Sequence, residues 1–210
     1  MKIKFSIIVI VLSIIVQLSS TAQTLIGGKI GLINSNVGFK YKPNSLGVLF
    51  TFENKLGIGA SFFIQKYLTK KISLDFNAQY GNFGTKLTDQ FKFNVHYLSV
   101  PVMLTYDIFQ SEKLAFNVHS GFTPSFFVGG NVKNGDEKEK IESGKDIAGF
   151  DFFWEIGAGF VFHQSEKIAI KADVNLVRGL MNVRGDDDAD DVVSMKNKAT
   201  MFMIGVARKI

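Results

Sequence analysis

Polar and apolar residues alternate with a period of two along most of the chain. In five segments, 56 to 68, 72 to 82, 98 to 108, 150 to 162 and 168 to 180, apolar side chains fill 30 of 33 even positions but 7 of 28 odd ones. Phe150, Phe152, Trp154, Ile156, Ala158, Phe160 and Phe162 interleave with Asp151, Glu155, Gly157 and Gly159. A helix repeats every 3.6 residues and would mix the two sets, so the spacing predicts strands with two different faces. Leu25 to Ile33, Leu114 to Gly129 and Ala199 to Ile210 carry the pattern less regularly and bring the set to eight.

The connections come in two kinds. Thr69-Lys70-Lys71, Gln110-Ser111-Glu112-Lys113 and Gln164-Ser165-Glu166-Lys167 are short and made of turn residues, and the last two repeat one tetrapeptide. Residues 34 to 55, 84 to 96, 130 to 149 and 183 to 198 are long and polar and are expected to be loops. Short turns on one rim and long loops on the other are the arrangement of small bacterial outer-membrane barrels. The expected fold is therefore all-β: an eight-stranded antiparallel up-and-down transmembrane β-barrel, with short periplasmic turns, long extracellular loops and both termini in the periplasm. Pro101 removes one ladder donor and marks a bulge or bend.

A soluble barrel would show the same alternation, with its apolar face inside. The odd positions decide between them. Gly57, Gly59, Ser61, Ser73, Asp75, Asn77, Gln79, Gly81, Asn117, His119, Gly121, Asp173 and Asn175 are mostly compact, which suits a narrow lumen better than a solvated exterior. The apolar set then meets lipid, with Tyr80, Tyr106, Phe109, Phe150 and Trp154 in the aromatic girdles.

Lys2 and Lys4 precede an apolar run from Phe5 to Leu18, and small residues Ser20 and Ala22 follow. This reads as a signal peptide over residues 1–22, cut after Ala22, leaving a barrel domain over residues 23–210. The run is short for the roughly 20 residues of a helical span. The absence of cysteine excludes disulfide frameworks, thiolate metal sites and a lipid-bearing cysteine. Without Lys2 and Lys4 the net charge falls from +5 to +3, and the basic residues are scattered among acids and turns, so no nucleic-acid partner is expected.

Tyr97-Leu98-Ser99-Val100-Pro101-Val102-Met103-Leu104-Thr105-Tyr106 resembles the fourth-strand signature of PorT-like outer-membrane barrel proteins of Bacteroidetes. Gly28-Lys29-Ile30-Gly31-Leu32 is similar to the opening strand of that family, and the layout matches over the mature chain. The resemblance implies an outer-membrane barrel delivered by the barrel-insertion machinery. One departure is the ending Val206-Ala207-Arg208-Lys209-Ile210, where many outer-membrane barrels end in an aromatic residue.

Asp75, Asp107, His119, Asp151, Glu155, Lys171 and Asp173, with Lys29, fall on inward positions and are expected to pair or hydrogen-bond as a structural lumen network, with selectivity as its other possible role. Asp186, Asp188 and Asp190 alternate like the first ligands of a calcium loop, but Asp191 stands where that loop needs Gly and Asn197 where it needs Glu. A solvated loop is the first reading there. His96, His119 and His163 fall before a strand, inside the barrel and at a periplasmic turn, without a spaced serine and acid. No phosphate loop, HExxH or GxSxG occurs.

The sequence thus points to a non-enzymatic outer-membrane protein without cofactors, its lumen plugged by polar side chains. Its partners are outer-membrane lipid and an unknown protein or ligand at the extracellular loops. The alternative is a small porin-like or gated pore for ions or small solutes. Behind it stand a lipid-modifying outer-membrane enzyme and a soluble periplasmic binding barrel.

Overall fold

The computed structural model describes residues 23–43, 52–87, 91–186 and 191–210. They form β1 (Thr24–Tyr41), β2 (Glu53–Tyr67), β3 (Ile72–Lys86), β4 (Phe91–Ser99), β5 (Val102–Gln110), β6 (Leu114–Asn134), β7 (Glu137–Lys140), β8 (Phe150–His163), β9 (Ile168–Gly179) and β10 (Val192–Lys209). The strands pair antiparallel, and β1 pairs with β10 from Leu25 opposite Lys209 to Tyr41 opposite Val192, closing the ring.

The ring has eight walls. Strands β4 and β5 are one wall interrupted at Val100-Pro101, since both pair with β3 on one side and β6 on the other. The ladder survives the break: Asn77 N–H donates to the Pro101 carbonyl at 2.9 Å and Val100 N–H to that of Pro124 at 2.9 Å. Strand β7 folds back on the end of β6 as a short hairpin. Within the apolar band each described wall is paired on both sides, the condition for strands in hydrocarbon.

The parity expected from the sequence holds along the middle of the walls. Ile58, Phe62, Leu104, Phe122, Leu176, Phe202 and Ile204 point outward and are exposed, while Ser61, Asp75, Asn117, Asp173 and Asn175 point inward and are buried. A continuous outward apolar band on every wall is far larger than the apolar patches of soluble monomers, and it places lipid outside.

Three periplasmic turns share one device. The hydroxyls of Thr69, Ser111 and Ser165 accept the N–H groups of Ile72, Leu114 and Ile168 at 3.0, 3.1 and 3.1 Å. Each side chain thereby replaces a backbone partner where the strand resumes.

The segments expected to be loops are partly strand. Residues 34–41, 53–55, 84–86, 91–96, 130–134, 137–140 and 192–198 extend the walls beyond the band, and His96 lies within β4, not ahead of a strand. Beyond the band the pattern inverts: the outer face turns polar while apolar side chains such as Val37, Phe93, Val95 and Met195 face the plug, so the apolar-outward pattern no longer marks these strands. Register shifts between Asn54 and Gly59 and between His96 and Tyr97 also break the phase.

Candidate functional site

The barrel interior is layered. At the extracellular end, Ile33, Val37, Phe83, Val95, Tyr97 and Phe153 form an apolar plug with Met195 and Met201. Phe83 and Phe153 each meet Tyr97 edge to face, with ring centroids 5.8 and 5.7 Å apart. Ile141, Ile147 and Val183, all from connections between strands, close over it and are buried. At the periplasmic end a second plug holds Leu25, Phe63, Tyr67, Ala115, Val161 and Ala207. The polar filling expected from the odd positions therefore occupies the middle of the barrel, with apolar side chains at both ends.

Two ion pairs organise the polar belt. Lys29 Nζ on β1 reaches Asp173 Oδ2 on β9 at 2.9 Å. Lys171 Nζ donates to Gln65 Oε1 at 2.7 Å and lies 4.0 Å from Asp75 Oδ2, which also accepts from the Thr105 hydroxyl at 3.0 Å. Both ammonium groups lie over the Phe63 ring, 5.0 and 4.7 Å from its centroid, so the periplasmic plug contributes a cation–π face to the belt.

His119 Nε2 bonds Asn175 Oδ1, and its Nδ1 bonds Asn117 Oδ1 at 3.3 Å. Glu155 accepts from the Thr123 hydroxyl at 2.6 Å. Gly157 and Gly159 on β8 make room for these groups. A Cβ at Gly157 would stand 2.5 Å from His119 Nε2 and 2.3 Å from Asn175 Oδ1, and one at Gly159 would stand 2.5 Å from Asp173 Oδ1.

The expected residues do not make one network. Asp75, His119, Glu155, Lys171 and Asp173 share the belt, but Asp151 and Asp107 are apart from it. Asp151, higher up, accepts from Phe152 N–H at 2.8 Å and from Asn197 Nδ2 at 2.9 Å, and Asn197 Nδ2 also donates to the Tyr97 hydroxyl at 3.1 Å. Asp107, at the periplasmic end beside Tyr67, makes no hydrogen bond of ordinary geometry. Sequence reasoning missed Gln65, Thr123 and Asn197 as partners, because neutral amides and hydroxyls on inward positions look alike until register decides which face a charge.

A void of about 20 Å³ lies in the belt, bounded by Lys29, Asp75, Asn117, His119, Glu155 and Asp173, room for a single water. No described group of three or more His, Asp or Glu is arranged to hold a metal ion. Asp186 is exposed, and its N–H donates to the Gly144 carbonyl at 3.1 Å. Asp188, Asp190 and residues 1–22 lie outside the described residues.

Among solved structures the chain is similar to Neisserial surface protein A, with a TM-score of 0.54 and 9% identity over 91% of this chain and 100% of that one. Ail, the attachment invasion locus protein of Yersinia pestis, gives 0.48 at 14% identity over 91% and 100%. Outer membrane protein W of E. coli gives 0.47 at 15% over 91% and 99%. A comparison with curated protein sequences finds no match. The outer membrane protein beta-barrel domain family matches residues 17–185, most of the sequence. Closed ring, lipid-facing band and family match agree: the chain belongs to the outer membrane protein beta-barrel domain family and is an outer-membrane β-barrel protein.

Proposed function

We propose that the protein is a closed outer-membrane barrel that acts as a structural or interaction protein through its extracellular loops. The observation that carries this reading is the layered interior, in which an ion-paired belt is sealed between two apolar plugs. A conducting lumen needs a continuous water path, and the belt leaves room for about one water molecule. The function is thereby assigned to the surface beyond the membrane, where the β6–β7 hairpin and the connections around Ile141, Ile147 and Val183 form the external face.

The reading is non-enzymatic. His96 bonds Tyr80 and Asn82, and His119 bonds Asn117 and Asn175, partners that hold an imidazole in place without preparing a nucleophile. The lumen charges serve as structural cross-links between walls. We further propose a signal peptide over residues 1–22, delivery by the barrel-insertion machinery, and membership among the PorT-like proteins of Bacteroidetes, which rests on the Tyr97 to Tyr106 stretch and Gly28 to Leu32.

The pore reading is tested by solute entry. Liposomes holding the folded protein and placed in small sugars should swell at the rate of empty liposomes. Faster swelling that falls with sugar size would replace this function with a pore.

A further inference from the structure

The outer surface carries an apolar groove that runs from β9 and β10 over β1 and β2 to β3 and the edge of β4. Gly28, Ala60 and Ala78 are small residues among large outward neighbours, and with Ile30, Phe62 and Tyr80 they line this groove of about 920 Å³. Gly28 lies opposite Phe62, Ala60 opposite Tyr80, and Tyr80 opposite Leu98, so this part of the groove spans four walls and leads to Tyr80, whose hydroxyl reaches His96.

Where the groove ends, the chemistry changes. The Tyr80 hydroxyl bonds His96 Nδ1 at 2.6 Å, Asn82 Nδ2 approaches the same nitrogen at 3.3 Å, and Lys55 Nζ bonds Asn82 Oδ1. Lys92 acts electrostatically on Lys55, and Lys55 and Lys138 act on His96. One step further out, Lys86, Lys92, Lys133 and Lys138 stand directly opposite one another in register across β3, β4, β6 and β7. Like charges opposite each other repel, and a bound anion would relieve that repulsion. Glu53 supplies one to Lys86 at 3.3 Å. Glu137 and Glu139 alternate with Lys138 along β7 and so belong to its other face.

We propose that this wall binds a phosphate-bearing lipid of the outer leaflet, its acyl chain in the Gly28–Ala60–Ala78 groove and its phosphate against Lys55, Lys92 and His96. Each half alone is ordinary for a barrel. Their continuity fixes the occupant: the cationic end sits at headgroup height because the groove beneath it lies in the apolar band, and charge complementarity calls for an anion tethered to a chain. The inference rests on residence in the outer membrane, not on the loops or the closed lumen, so the liposome result above leaves it untouched.

Native mass spectrometry of the folded full mature protein, titrated with lipid A bisphosphate or its dephosphorylated form, tests it. Three variants serve: a headgroup variant (Lys55→Gln, Lys92→Gln, His96→Gln), a groove variant (Ala60→Phe, Ala78→Leu), and a charge control on the periplasmic turns (Lys70→Gln, Lys113→Gln, Lys167→Gln). The headgroup and groove variants should each weaken retention of the bisphosphate by roughly tenfold or more, the control should bind like the original chain, and dephosphorylated lipid should bind weakly throughout. Equal losses in the control and the headgroup variant would reduce the effect to net charge and overturn the proposal. So would an unaffected groove variant, or displacement of the lipid by inorganic phosphate, which would leave an anion site without a chain. A heat-dependent gel shift establishes folding of each variant, and all substituted side chains lie on the outer surface or in turns.

Discussion

Lys29 and Asp173 meet at 2.9 Å across the barrel interior although they are 144 positions apart and β10 runs between their strands. Both side chains are almost wholly buried. The pair cross-links β1 to β9 and so ties the seam where the first and last strands close the ring. Removing one partner leaves a charge in a dry interior, which typically costs about 3–5 kcal/mol, whereas removing both can be nearly neutral. Lys29→Met and Asp173→Leu should therefore each lower the urea midpoint of the refolded protein strongly, and the double variant should recover most of the loss. Additive losses in the double variant would show that the ion pair is not the cross-link.

The glycine floor of β8 gives a second expectation. A side chain at Gly157 or Gly159 enters the space of His119, Asn175 and Asp173, so Gly159→Val should cost about 1–3 kcal/mol by forcing the belt apart. Ala158→Val, between them but facing outward, should be close to neutral. Thermal gel-shift curves of the two variants in one detergent read the difference directly.

The extracellular plug depends on the aromatic trio. Phe153 packs on Phe83 and Tyr97 with ring centroids 5.6 and 5.7 Å away, and Phe153→Ala should destabilise by about 3–5 kcal/mol. The same variant should remain non-conducting, because the ion-paired belt lies below it and is untouched.

Orientation follows from loop length. An epitope inserted between Asp186 and Asp191 should be labelled on intact cells, and one in the turn Gln164-Ser165-Glu166-Lys167 only after permeabilisation. The reverse pattern would invert the topology.

Much of this was legible in the sequence, and the reason is mechanical. A wall with lipid on one face and a packed lumen on the other writes its geometry into alternate residues, so Phe62, Leu104 and Val174 against Ser61, Asp75 and Asp173 could be sorted by parity alone. Pro101 announced the break between β4 and β5 because it has no N–H to give. Parity names a face but not a height or a partner. Asp107, Asp151 and Asp173 look equivalent in the sequence, yet register puts them at three levels, and Lys29 was joined to Asp173 over an intervening strand. The apolar ends of the lumen were hidden for the same reason: Phe83, Tyr97 and Phe153 come from three separate strands and become a plug when the ring closes. The wall extensions past the band escaped because their pattern inverts there, with apolar residues such as Val37, Phe93 and Met195 inward and polar ones outward, the opposite of the lipid-facing rule.

The closed interior is the central claim, and planar-bilayer recording of the purified, folded protein tests it most directly. The layered plug predicts no unitary steps above the bare bilayer, both for the original chain and for Phe153→Ala. Reproducible steps whose ion selectivity changes with Asp173→Asn or Lys171→Gln would contradict it, since current would then pass through the belt described as sealed.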